Sequence, residues 1–405
     1  MRCIYKNEEY TDDKFDLEHI FPAKLGGKLC DSSLFRTRRA SRKANNNLGM
    51  FVDKKFIGNY FSQIDYHEAH RAFIDLDEPK NSPLLFMGHL DIKELFPDKT
   101  CELWIGFAGE QVYRLRNNDG TEWETVNTGN PRNRKKDRGI LFHVNTTAEQ
   151  RWIRQTFHSI KATFRFLPKM YSINVHGEQI NSSPAPGFFE DLTPEAIQLF
   201  NTIKNHVTND HKKSLQNQIA IDINDYYRFI PKMAIGFGHN LFGDEFLDTA
   251  YYQQLNKALW FNAENDEDTP EVRGNVSDLS TNGDIISKLL NIDGTYTFIF
   301  FPTNIGYSFN LITPGKRSYS IAITNNMELY EKISDTRFLS PQVFVLAPGA
   351  DFFYGPIKME KYIAYLEGNY SIQPLLDLES IRTDFSKILE ERKKHDLEFE
   401  PNLKP

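Results

Sequence analysis

Between Phe15 and Pro22 the chain reads Phe-Asp-Leu-Glu-His-Ile-Phe-Pro, apolar and polar positions in alternation until a proline ends the run, which is the pattern of a short strand. Leu25-Gly-Gly-Lys28 follows as a turn. From about Ser41, the residues Leu48, Phe51, Val52, Phe56 and Tyr60 recur at three- and four-residue spacing, which predicts an amphipathic helix burying one face. The opening sixty residues thus predict strand, turn, return strand and helix.

Residues 53–75 continue or restart that helix, with Phe56, Tyr60, Ile64 and Phe73 as core positions. Over 84–127 the pattern changes to short β-rich runs at Leu84-Leu-Phe-Met, Glu102-Leu-Trp-Ile-Gly-Phe and Gln111-Val-Tyr-Arg-Leu-Arg, with Asn118-Asp-Gly120 as a hairpin turn, so an antiparallel sheet is expected. Helices are predicted at 147–166, from the Thr193-Pro194 cap to about His206, and over most of 225–260. Strand character returns at Tyr171–Val175, Thr297–Phe301, Ser318–Ile323 and Gln342–Leu346. Ile381, Phe385, Ile388 and Leu389 stripe a C-terminal helix, and the acidic stretch 262–282 reads as an exposed loop. The fold class expected is α+β: a small module over residues 1–60, then a larger mixed α+β region with antiparallel sheet over 61–405. No internal repeat or low-complexity tract breaks it.

A chain of 405 residues with 40% hydrophobic and 13% aromatic side chains can fill more than one core. Its net charge of −7 excludes a general polyanion-binding field, so any such site must be local. Residues 1–60 supply a candidate, holding 12 Lys/Arg against 8 Asp/Glu. No apolar run of about 18 residues exists to span a bilayer, and the opening MRCIYKNEEYTDDK lacks the apolar stretch of a signal peptide, so no membrane is expected and the compartment expected is the cytoplasm. The three cysteines Cys3, Cys30 and Cys101 are too few for a disulfide framework and cannot complete a four-cysteine zinc site.

Chemistry concentrates at Glu18-His19 on the first strand and at Asn45, 26 residues beyond His19 near the start of the helix. A hairpin packed across a helix would bring these groups to one focus. A carboxylate and an amide oxygen are hard ligands for magnesium or manganese, and a neutral imidazole beside them can take a proton from an attacking water. That combination suits phosphodiester hydrolysis.

The ordered runs Cys3-Ile-Tyr-Lys6, Leu17-Glu-His-Ile-Phe-Pro-Ala-Lys-Leu-Gly-Gly27, Leu34-Phe-Arg-Thr-Arg38, Ala44-Asn-Asn-Asn-Leu-Gly49 and Phe51-Val-Asp-Lys-Lys-Phe56 resemble bacterial HNH endonucleases over roughly the first sixty residues. The resemblance implies a ββα-metal module in which His19 is the general base and Glu18 and Asn45 bind the catalytic Mg2+ or Mn2+, with Asn46 in place of Asn45 if the helix register shifts by one. Many family members also carry two CxxC pairs on a structural zinc. Here the pairs read Cys3-x-x-Lys6 and Ser41-x-x-Ala44, so no structural zinc is expected and the module must be held by packing, through Phe15, Ile20, Phe21, Leu34, Phe35, Leu48 and Phe51. The family's middle Asn, which orients the histidine, has no counterpart in Asp31-Ser-Ser-Leu-Phe35, leaving Asp31 or Ser33 for that task.

Arg36, Arg38, Arg39, Arg42 and Lys43 precede Asn45, where they and the helix N-terminus would hold a phosphate backbone, and Arg132–Arg138 is a second basic cluster in a polar loop. Three other signals are read as structural: the His67-x-x-His70 pair, the glycines of 236–243 and the apolar Phe298–Phe301 run. The function expected is a metal-dependent endonuclease acting on DNA, with RNA the lesser alternative. Joined to a large region that senses or selects, it resembles effectors of bacterial defence against phage or mobile DNA, with a protein or small-molecule activator as a further partner. The rival is a binding or regulatory protein that keeps the HNH shape without catalysis.

Overall fold

The computed structural model describes residues 1–79, 82–117, 139–145, 150–164, 169–176, 179–182, 189–209, 215–216, 222–261, 269–275, 289–386 and 390. The predicted Asn118-Asp-Gly120 turn, the 132–138 basic cluster, most of the 262–282 loop and the Ile388-Leu389 end of the C-terminal stripe lie outside the described residues.

The chain opens with strand β1 (Phe15–His19) antiparallel to β2 (Arg36–Ser41), then helices α1 (Arg42–Leu48), α2 (Lys54–Gly58) and α3 (Tyr60–Arg71). Across the hairpin Glu18 faces Thr37 and His19 faces Arg36, while Asp16 faces Ala40, so Arg38 and Arg39 together oppose Leu17 in a bulge. Ser41 caps α1, its Oγ accepting from the Ala44 N–H at 3.3 Å, so the helix begins ahead of the asparagines rather than at them. Between α1 and α2 the backbone widens into a π-turn over Gly49–Asp53. That extra residue breaks the three-and-four spacing: Met50 and Phe51 point outward, Phe51 at 49% exposure, and Val52 turns in. Phe51 is therefore not a core residue, whereas Ile20, Phe21, Leu34, Phe35 and Leu48 are buried and Phe15 packs on the same cluster. Asn59 restarts the helix at α3, accepting from the Ser62 N–H at 2.8 Å.

Residues 74–220 with 383–405 form one of two compact units. Strands β3 (Leu85–Leu90), β4 (Lys99–Ile105), β5 (Gln111–Asn117) and β6 (Ile140–Val144) run antiparallel in succession. Helix α4 (Gln150–Thr163) leads to β7 (Lys169–His176), which is parallel to β6, as a helical crossover permits. After β8 (Gln179–Ser182), helix α5 (Pro194–Asn209) and β9 (Leu215–Gln216), the sheet reads β8-β7-β6-β5-β4-β3-β9.

The other unit comprises residues 1–73 and 221–382, so the 1–60 segment shares a core with distant sequence rather than standing apart. Its later elements are α6 (Ile223–Phe242), α7 (Ala250–Trp260), β10 (Tyr296–Thr303), β11 (Gly306–Ile312), β12 (Ser318–Thr324), α8 (Met327–Glu331), β13 (Gln342–Ala347), β14 (Phe352–Lys358), α9 (Met359–Leu366) and α10 (Gln373–Ser380). Strands β10–β14 form an antiparallel sheet in the order β12-β11-β10-β13-β14. Phe35 meets Phe237, Phe298, Phe300, Phe344 and Phe353 edge to face, and Phe21 meets Tyr296 and Phe298 in the same way. This aromatic cluster, reached from the hairpin's turn, is the packing that holds the N-terminal elements. The glycines of α6 serve close packing: a Cβ at Gly236 would lie 2.7 Å from Ile20 Cγ1, and one at Gly238 would lie 2.5 Å from Phe246 Cζ.

The molecule is thus mixed α+β with largely antiparallel sheets. Among the described residues no helix is long and apolar enough to cross a membrane.

Candidate functional site

Along β1 the alternation of side chains sends Leu17 outward, 40% exposed, and Glu18 inward, 5% exposed. A buried carboxylate needs a partner, and α6 provides it. Lys232 Nζ, fully buried, lies 2.7 Å from Glu18 Oε1 and 2.9 and 2.8 Å from the two Asp53 carboxylate oxygens. Burial pulls the Lys232 ammonium down, but Asp53 and Glu18 outweigh it and hold it pushed up to about 12. For Glu18, burial pushes the carboxyl up, Lys232 opposes the rise and Asp53 adds to it. Tyr5 lies in the same electrostatic neighbourhood: its fully buried hydroxyl has no hydrogen-bond partner among the described residues, and burial, then Glu18 and Asp53, push it well above the usual phenol range.

His19 ends β1 and leaves the opposite face of the strand from Glu18. It is half-buried; burial first, then the charges of Arg36, Lys28 and Lys232, hold its imidazole below the usual histidine range and so neutral at pH 7. Arg36, across the ladder from His19, donates through Nη2 to the Lys28 carbonyl at 2.9 Å, while its buried Nε has no partner among the described residues. Asn45 stands in the middle of α1, half-buried, and α1 packs against both β1 and β2. No hydrogen bond joins Asn45 to Glu18 or His19, and Asn46 is exposed.

The remaining basic residues divide by partner. Arg42 pairs with Asp16 at 3.1 Å and Arg39 with Asp244 at 2.6 Å, whereas Arg38 and Lys43 are exposed and form no ion pair among the described residues. His70 Nδ1 meets the Tyr66 carbonyl at 2.8 Å, and His67 is buried beside Glu68.

The asparagine absent from Asp31–Phe35 has a long-range counterpart. Asn240 of α6 donates through Nδ2 to the carbonyls of Ser33, Leu34 and Arg36 at 3.0, 2.9 and 3.0 Å, and so fixes the backbone that enters β2 opposite His19. Sequence reasoning missed Asn240, Lys232 and the role of Asp53. The signal for Lys232 was present: it is the one Lys, Arg, Asp or Glu in residues 229–243, an apolar helical stretch. Asn240 carries no comparable signal.

Whether this donor set suits a divalent cation turns on charge. Two carboxylates against one ammonium leave a single negative charge in a buried place, which a hard cation would neutralise, and Asp53 can satisfy Lys232 without Glu18. Glu18 is the surplus oxygen donor, and Asn45 offers a neutral amide oxygen from the adjoining helix. No cluster of three or more His, Cys, Asp or Glu side chains suited to a metal occurs among the described residues. No family model, curated protein or solved structure matches the chain.

Proposed function

We propose that the chain is a metal-dependent endonuclease of the HNH type, hydrolysing phosphodiester bonds of DNA with the ββα-metal module of its first sixty residues. The observation that carries this reading is His19: an imidazole kept neutral, half-open to solvent, set across from Arg36 and beside the buried carboxylate Glu18. A neutral imidazole can accept the proton of a water as its oxygen attacks phosphorus, and the P–O bond to the leaving oxygen breaks as the new one forms. The unpartnered Nε of Arg36 is aimed to donate to a phosphate oxygen, and Arg38 and Lys43 extend the positive rim along β2 and α1. Glu18 and Asn45 would hold Mg2+ or Mn2+, which when bound supplies charge neutralisation at the phosphate. A small nuclease module carried on a larger α+β body matches the arrangement of effectors of bacterial defence, and that assignment rests on architecture alone.

The second reading is a binding protein with the HNH shape and no catalysis. The Glu18–Lys232 ion pair and the lack of a hydrogen bond between Glu18 and Asn45 favour it. Incubation of supercoiled plasmid with purified protein and Mn2+ separates the two. Nicking that stops with EDTA and is absent in H19A supports the nuclease; nucleic-acid binding without nicking supports the binding protein.

A further inference from the structure

Two observations at Glu18 are unexplained by catalysis alone: a fully buried ammonium sits between two carboxylates, and the buried Tyr5 hydroxyl beside them has no partner. We propose that Lys232 is a resident cation that competes with the divalent ion for Glu18, with Asp53 as the counterweight that lets Glu18 go. This deepens the nuclease reading and rests on it for the identity of the metal.

The geometry sets out both states of the competition. Lys232 emerges from the interior of α6, between Pro231 and Met233, and is fully buried, so the ammonium stays where it is. Asp53 meets it with both oxygens, at 2.8 and 2.9 Å, and therefore still neutralises it when Glu18 turns away. Glu18 meets it with a single oxygen. Turning from Lys232 toward Asn45 costs Glu18 one ion pair, which a divalent cation must repay. Lys232 thus lowers metal affinity, and Asp53 raises it without touching the metal. Tyr5 Oη is placed to donate to whichever carboxylate oxygen is left without a partner.

The two residues should then act in opposite directions, an outcome that a merely structural ion pair would not produce. Mn2+ is titrated into the purified full-length chain and free ion is followed by electron paramagnetic resonance, for wild type, K232M, D53N and E18Q. Relative to wild type, K232M is expected to bind about tenfold more tightly, D53N about tenfold more weakly, and E18Q to lose the site. Affinities of K232M and D53N that move together or stay unchanged, or a site that survives in E18Q, overturn the proposal. If K232M does not fold, D53N/K232M removes both charges of the pair and leaves none uncompensated. It is expected to bind Mn2+ more tightly than wild type; equal or weaker binding overturns the proposal. The readout is independent of cleavage, so an active nuclease with unchanged Mn2+ affinities would retain the function and lose this inference.

Discussion

The Asn240 carboxamide nitrogen lies 3.0 Å from the main-chain oxygen of Arg36, the residue that faces His19 across the hairpin. Through this bond and its two companions to Ser33 and Leu34, one side chain of α6 sets the path of the strand that supports the proposed base. N240L removes the donor while keeping most of the volume. A loss of about 1–3 kcal/mol in urea unfolding is expected, the cost of leaving carbonyl acceptors unpaired. Cleavage should fall as well, through kcat rather than KM, since Asn240 positions the hairpin. Wild-type kcat in N240L would show that the strand's path does not depend on this residue.

His19 should govern the acid side of the pH profile. Its pKa lies below the ordinary histidine value in the folded chain, because of burial and then the Arg36, Lys28 and Lys232 charges. The neutral form therefore predominates at pH 7, and cleavage should hold level near neutrality and fall only at a pH below about 6.5. The same shift has a stability consequence. The folded state disfavours protonation, so the contribution of His19 is present above the unfolded value and is lost as pH falls through the folded one. H19A should abolish cleavage, leave the fold nearly intact and remove that part of the acid destabilisation in thermal scans from pH 5 to 8.

Gly236 is a packing residue of α6 in direct apposition to Ile20. A Cβ there would meet Cγ1, Cδ1 and Cγ2 of Ile20 at 2.7–2.9 Å, with both residues buried. G236A is expected to destabilise the chain by about 1–3 kcal/mol through overpacking, despite alanine's better helix propensity. Because Ile20 follows His19, the displacement should also reduce cleavage, and the companion I20A should relieve part of the G236A defect. Additive losses in the double variant would show that the two side chains do not clash.

Local pattern made the hairpin and its helix legible, because alternation at Phe15–Phe21 and the Ser41 cap are short-range signals that tertiary packing did not override. It failed at Phe51, where a π-turn inserts one residue and rotates the apolar stripe. β11 and β14 were missed, since each pairs with a strand the pattern did find but carries glycine, proline or exposed aromatic positions that dilute its own periodicity. The site was half legible. Glu18, His19 and Asn45 stand close in sequence, whereas Lys232 and Asn240 reach the same hairpin from about two hundred residues away, and nothing local specifies where a distant helix will pack.

The basic rim should show itself in salt dependence. Arg38 and Lys43 are exposed without ion pairs among the described residues, while Arg42 is engaged by Asp16 and Arg36 by the Lys28 carbonyl. R38A and K43A should each weaken binding to duplex DNA uniformly across sequences and reduce the log-log salt slope by about one. R42A should do less, because Asp16 already neutralises that charge. Fluorescence anisotropy from 50 to 200 mM salt is the measurement, and slopes unaltered in all three variants would move the DNA surface elsewhere.

The zinc positions implied by the resemblance can be tested by restoring them. Cys3 Sγ, fully buried, accepts from the Ser41 N–H at 3.3 Å, and Ser41 Oγ accepts from the Ala44 N–H at 3.3 Å, so positions 3, 41 and 44 adjoin. Lys6, three residues beyond Cys3, instead lays its ammonium 3.9 Å from the centre of the Trp260 ring, tying the N-terminus to α7 by a cation–π contact. The chain as it stands should therefore carry substoichiometric zinc after dialysis. K6C/S41C/A44C completes four thiolate ligands and should retain one equivalent of zinc by elemental analysis, with a melting temperature that falls when a chelator is added. Failure of the triple variant to hold zinc while still folded would mean that these positions do not descend from a zinc quartet, and the resemblance would then stand on the Glu18, His19 and Asn45 runs alone.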